Sequence, residues 1–110
     1  MVFPETAIDA DALAWLDSRQ GAMLDRLVDW ASVNTGSANL PGLAALLGRI
    51  EAHAAGLGAS ARRVDLSEYE SVDDAGRPVA TRFGQALHLS KHPGAERRVF
   101  LCIHYDTVFG

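Results

Sequence analysis

The chain has 110 residues, 48% of them hydrophobic, which is the usual size of one domain and enough for a modest apolar core. Its 10 basic and 14 acidic side chains give a net charge of -4, and no segment is strongly basic, so we expect no nucleic-acid partner. No apolar run approaches the roughly 20 residues of a membrane span. A single cysteine and an N-terminus without the basic and apolar regions of a signal peptide predict a cytoplasmic protein.

Two helices are predicted in the first half of the chain. Apolar residues recur at steps of three and four from residue 9 or 11 to residue 32, and Gly21 could divide this helix in two. A second apolar stripe follows with clearer ends, because Asn39 is a suitable N-cap and Gly56 or Gly58 can provide a left-handed stop. Both stripes need an apolar surface to pack against.

Three strands are predicted after the helices: residues 59–66, residues 83–89 and the unbroken apolar run 99–103. Residues 67–82 are rich in acids, glycine and proline, which indicates a polar loop. The last two strands should form an antiparallel hairpin, whereas helical connections give parallel neighbours. We therefore expect an α/β fold with a mixed β-sheet flanked by helices. Cys102, inside the third strand, is expected to be buried and unreactive.

The third strand leads directly into His104 and Asp106. In an extended backbone both side chains project to the same side, about 6.6 to 6.8 Å apart along the strand, so the carboxylate can hold the imidazole. Zinc-bound histidines usually donate their second ring N–H to a carboxylate, which fixes the tautomer and makes the ligand more basic. The pair therefore predicts a metal ligand with its orienting acid, and a structural His–Asp pair is the alternative.

Residues 98–109, which include the sequence H-Y-D-T-V at positions 104–108, resemble the first metal-site motif of the dinuclear zinc aminoacylase/carboxypeptidase family. This family includes acetylornithine deacetylases, succinyl-diaminopimelate desuccinylases and carboxypeptidase G-like enzymes. Residues 27–30, 34–37 and 39–43 are similar to its first helix, its Thr-Gly-Ser-like turn and its second helix, in the same order and spacing. The similar segments together span about residues 24 to 110.

The resemblance implies the start of a zinc-exopeptidase-like catalytic domain, with His104 as a zinc ligand and Asp106 as the catalytic residue that orients it. It also implies two divalent metal ions and hydrolysis of amide or peptide bonds in N-acyl amino acids or small peptides. The family's remaining ligands and general base follow this motif. We therefore expect residues 1–110 to be the inactive N-terminal part of a longer enzyme that can form a homodimer.

A different class of function stays open from the sequence. The chain can instead be a small, non-catalytic α/β binding or interaction domain in which His104 and Asp106 form a structural pair. Metal binding and hydrolysis separate the two hypotheses, because the second requires neither.

Overall fold

The computed structural model describes residues 9–108. Residues 1–8, which carry the argument against a signal peptide, and residues 109–110, which end the motif segment, lie outside that range. The chain divides into two compact units, one ending at Ser32 and the other beginning at Val33. Within the described range, no helix combines the length and the apolar character needed to cross a membrane.

The first unit contains α1 (Ala10–Ser18) and α2 (Gln20–Ala31), and neither helix has a buried residue. The carboxylate of Asp9 caps α1 by accepting two backbone N–H groups of its first turn. The predicted helix is thus divided, but the division is at Arg19 and not at Gly21. The reason is the backbone at Arg19, whose φ of -99° and ψ of 0° are not helical.

The second unit is built on α3 (Leu40–Ala54), which continues into a short 3₁₀ turn (Ala55–Leu57). Asn39 is the N-cap, as predicted, because its Oδ1 accepts the N–H of Gly42 at 3.0 Å. Gly58 ends the helical segment with a left-handed φ of 65°, which is one of the two predicted stops. Among the described residues, the buried apolar core consists of one face of this helix: Leu43, Leu46, Leu47 and Ala54.

Four strands form two separate antiparallel pairs. β1 (Ser60–Val64) pairs with β4 (Ala86–Ser90), and β2 (Tyr69–Val72) pairs with β3 (Pro78–Thr81). β1 falls within the first predicted strand, and β4 overlaps the second, residues 83–89. The mixture of helices and strands agrees with a general α/β class. The one mixed sheet that the sequence predicts is not formed by the described part of the chain.

The prediction of a polar loop over residues 67–82 was wrong, because this segment contains the β2–β3 hairpin. Its acids and glycine form the hairpin turn. Oδ1 of Asp73 accepts the N–H groups of Ala75 and Arg77, both at 2.9 Å, and Gly76 supplies a positive φ of 75°. Turn residues were therefore read correctly, but the short strands on either side of them were missed.

The apolar run 99–103 is irregular and exposed, so its prediction as a buried strand was wrong. Val99 and Phe100 are each 85% exposed, and Cys102, predicted to be buried, is exposed as well. The predicted hairpin is also absent from the described residues, where β4 pairs with β1 and its other edge is unpaired. A strand needs a hydrogen-bonded neighbour, and no described strand pairs with this run. Apolar composition without such a neighbour does not bury it.

Candidate functional site

The candidate site lies where residues 34–39, which precede α3, meet residues 104–108. Two asparagine side chains organise the first of these segments. Oδ1 of Asn34 accepts the N–H of Gly36 at 3.0 Å, and Nδ2 of Asn39 donates to the Asn34 carbonyl at 3.0 Å. Such side-chain to backbone bonds are typical of turns. Because Asn39 also caps α3, the loop is attached to the first turn of the helix.

Thr107 joins the two segments through a short parallel bridge with Gly36. Its N–H donates to the Thr35 carbonyl at 2.8 Å, and its carbonyl accepts the N–H of Ser37 at 3.1 Å. The Thr35 side chain is buried, with its hydroxyl 3.5 Å from that of Thr107. The bridge therefore fixes the neighbouring residue, Asp106, against the loop.

The two predicted site residues, His104 and Asp106, are in contact. Nδ1 of His104 lies 3.0 Å from the Asp106 carbonyl oxygen and 3.3 Å from Asp106 Oδ1. Both oxygens are acceptors, so Nδ1 carries the proton and the neutral ring has its lone pair on Nε2. The spacing of the two residues predicts this contact in an extended strand. Residues 98–106 are irregular instead, and the contact forms without regular strand geometry.

Ser37 completes the contact from the other side of the carboxylate. Its hydroxyl donates to Asp106 Oδ2 at 2.8 Å, across a separation of 69 residues in the sequence. This hydrogen bond is the main reason that the pKa of Asp106 lies below its usual range, and the charge of a protonated His104 lowers it further. Ser37 was not singled out as a site residue from the sequence. The signal that pointed to it was the Thr-Gly-Ser-like turn.

Tyr105 attaches the same segment to the chain before β4. Its hydroxyl donates to the Gln85 carbonyl at 2.5 Å, and the Gln85 side chain donates to Asp65 Oδ1 at 2.7 Å. Partial burial raises the pKa of Tyr105, the negative charge of Asp106 raises it further, and Arg63 opposes both effects. Tyr105, between His104 and Asp106, and Thr107, directly after them, are thus each bonded to another part of the second unit.

The position of Tyr105 predicts an alkaline dependence of stability. The chain has two tyrosines, so the Tyr69→Phe variant reports Tyr105 alone by tyrosinate absorbance. We expect its midpoint to lie above the ordinary value of about 10, because burial disfavours the phenolate. Because the pKa of Tyr105 is higher in the folded chain than in the unfolded chain, its contribution to stability is complete below the unfolded pKa. That contribution is lost as pH rises through the folded pKa. A midpoint no higher than in denaturant would contradict the burial.

A shallow, open depression lies beside these contacts. It is lined by Asn34, Gly36, Ser37, Ala38, Asn39, Thr107 and Val108. Within residues 9–108, histidine, cysteine and acidic side chains do not gather in any group of three or more that could hold a metal ion. The described part of the chain therefore offers His104 as one candidate ligand, oriented by Asp106, and not a full set of metal ligands.

No family model, curated protein or solved structure matches this chain. The assignment of a function therefore depends on the motif at residues 104–108 and on the geometry around it. That geometry can hold an imidazole in one tautomer. One ring nitrogen is directed at a carboxylate, and the other has a lone pair that can bind a metal ion.

Proposed function

We propose that this chain is part of a zinc-dependent hydrolase of the dinuclear aminoacylase/carboxypeptidase type, acting on amide or peptide bonds of N-acyl amino acids or small peptides. The observation that carries the proposal is the direction of the His104 ring. Its Nδ1–H faces the carbonyl and carboxylate of Asp106, which leaves the Nε2 lone pair for a metal. This is the usual arrangement of a zinc-bound histidine and its acid. The H-Y-D-T-V sequence supports the choice of family.

The donor set fits one ligand position of a zinc site. An imidazole nitrogen is a preferred zinc donor, and the His104 side chain is 87% exposed, so Nε2 is accessible. A catalytic zinc has about three protein ligands, so the proposal requires ligands in addition to His104. We assign these, the second metal ion and the general base to further residues of a longer enzyme. When bound, zinc supplies Lewis-acid polarisation of the scissile carbonyl and activation of water.

The chain's own residues prepare the ligand. Asp106 accepts the Nδ1–H of His104, which fixes the ring tautomer and makes Nε2 a stronger donor. The hydrogen bond from Ser37 favours the charged carboxylate of Asp106 and lowers its pKa. The Thr107 bridge holds this pair beside the depression, where a substrate group can approach.

Sequencing the coding DNA past the codon for residue 110 defines the protein to be tested. We expect an open frame that supplies an aspartate, a Glu–Glu pair and a distal histidine, because the proposed metal centre needs these groups. An immediate stop codon would remove the ligands that the proposal requires and would overturn it. The non-catalytic binding domain, with a structural His–Asp pair, would then be the better hypothesis.

Substitution of His104 in the whole gene product tests the metal role directly. We expect His104→Ala to abolish tight zinc binding and turnover, because a ligand is lost. Asp106→Asn should keep the fold and weaken zinc binding by about 10 to 100-fold, the usual cost of losing an orienting partner. Zinc content, zinc affinity and hydrolysis of N-acyl amino acids are the measurements.

Two matched controls separate this role from general effects of substitution. His88→Ala removes an exposed histidine of β4, and Asp74→Asn neutralises an exposed acid of the β2–β3 turn. Both should bind zinc and turn over substrate as the unmodified protein does. Full zinc content and turnover in His104→Ala would overturn the proposed function.

A further inference from the structure

We propose that Ser37 is a positioning residue for the histidine ligand and acts through Asp106. Its hydroxyl holds one carboxylate oxygen so that the other faces the imidazole of His104. The inference depends on the proposed metal role of His104 and extends it to a loop that precedes α3. The contacts place the three side chains in the order serine, aspartate, histidine, with the carboxylate in the centre.

The carboxylate of Asp106 is fixed by these bonds rather than by packing. Its side chain is 44% exposed, so few neighbouring atoms restrict its rotation. Oδ2 accepts the Ser37 hydroxyl at 2.8 Å, and Oδ1 lies 3.3 Å from His104 Nδ1. A carboxylate held at Oδ2 cannot rotate without breaking that bond. The serine therefore helps to set the orientation in which the carboxylate faces the ring, and hydrogen bonds to a charged group are strong enough to do so.

The serine hydroxyl is itself placed by the backbone. The N–H of Ser37 donates to the Thr107 carbonyl at 3.1 Å, and the preceding Gly36 is bonded to the Asn34 side chain. Because Asn39 attaches this loop to α3, the position of the hydroxyl follows from the start of the helix. The hydroxyl also lies 3.3 Å from the Thr107 carbonyl, but its single proton favours the shorter bond to the charged oxygen.

An exposed serine that acts in this way should affect the ligand more than the fold. Ser37 is exposed, so Ser37→Ala leaves no buried group without a partner and should change stability little. Without the hydroxyl, the carboxylate of Asp106 can rotate away from His104, and Nδ1–H keeps only the neutral Asp106 carbonyl, at 3.0 Å, as its acceptor. A threonine keeps the hydroxyl and should keep the function.

The experiment compares Ser37→Ala, Ser37→Thr and the exposed control Ser67→Ala in the whole gene product. Imidazole nitrogen chemical shifts of His104 in the metal-free protein report the tautomer, and competition with a chromophoric chelator gives the zinc affinity. We expect Ser37→Ala to shift the Nδ1 resonance, because the ring loses its charged acceptor while the carbonyl keeps the tautomer. Zinc binding should weaken about 10-fold, the lower end of the usual cost of losing an orienting partner. Ser37→Thr should restore both values, and Ser67→Ala should not change them.

The outcomes distinguish this inference from the proposed function. If His104→Ala loses zinc but Ser37→Ala keeps the original Nδ1 chemical shift and zinc affinity, the positioning role is wrong and the proposed function stands. Equal losses of zinc affinity in Ser37→Ala and Ser37→Thr would mean that the loop, and not the hydroxyl, causes the effect. That result would also overturn the positioning role of the hydroxyl. Zinc binding that survives His104→Ala overturns the proposed function, and with it this inference.

Discussion

Replacing Gly42 with alanine is expected to displace the loop of residues 34–39 and to weaken its contact with Asp106. A Cβ atom at position 42 would lie 1.8 Å from the Asn34 carbonyl oxygen and 2.7 Å from Asn39 Nδ2. Both neighbours belong to the network that holds Ser37 in place. The carbonyl is a backbone atom, so it can move away only if the loop moves with it.

The expected change in stability has the opposite sign to that of an ordinary glycine to alanine substitution in a helix. Helix propensity alone would make the alanine variant more stable than the unmodified protein by about 1 kcal/mol. At Gly42 the overlap should outweigh this gain and cost about 1 to 3 kcal/mol, as other overpacked sites do. Gly48→Ala is the matched control on the same helix, because its nearest atom, Arg63 Nη2, would be 3.8 Å away, an ordinary contact.

Urea unfolding measures the stability of the two variants, and backbone chemical shifts report changes in the loop of residues 34–39. We expect Gly42→Ala to be less stable than the unmodified protein, with shifted resonances for Ser37 and Thr107, and Gly48→Ala to be equally or more stable with those resonances unchanged. If both variants were stabilised alike, the close approach of the Asn34 carbonyl to α3 would be disproved.

Local signals in the sequence predicted the start of α3 and the end of the 3₁₀ turn that continues it. Asn39 as the cap and Gly58 as the stop depend on bonds and dihedral angles within a few residues, so a short window contains the necessary information. The same holds for the turn residues of the β2–β3 hairpin. Arg19 shows the limit of this approach, because the break there is not marked by glycine or proline.

Strand pairing was predicted poorly because it depends on distant partners. The run 99–103 has the composition of a buried strand, but burial requires neighbours that composition cannot specify, and the described chain pairs β4 with β1. The His104–Asp106 contact was expected from a spacing of two residues, and the structure contains it in an irregular segment. Only the folded chain brings Ser37 to this pair, across 69 residues.

Replacing Leu47 with alanine is expected to have the largest effect on stability. Leu47 is 1% exposed on the core face of α3, and truncating such a side chain typically costs about 2 to 5 kcal/mol through lost burial and the cavity left behind. A small domain is stable by only about 5 to 15 kcal/mol, so the loss is a large part of the total. Leu57→Ala, at a side chain that is 50% exposed, is the control and should cost much less.

Comparing Leu47→Ala with Gly42→Ala should separate fold stability from site geometry. The Leu47 side chain cannot form hydrogen bonds and therefore takes no part in the network that holds Ser37 and Asp106. Leu47→Ala should lower the urea midpoint while the folded molecules keep the Ser37–Asp106 bond. Gly42→Ala should disturb that bond at a smaller cost in stability, because its Cβ meets the loop itself. Zinc affinity measured well below the unfolding transition should therefore fall for Gly42→Ala and stay unchanged for Leu47→Ala. Equal losses of affinity would mean that the site depends on the whole core rather than on the loop.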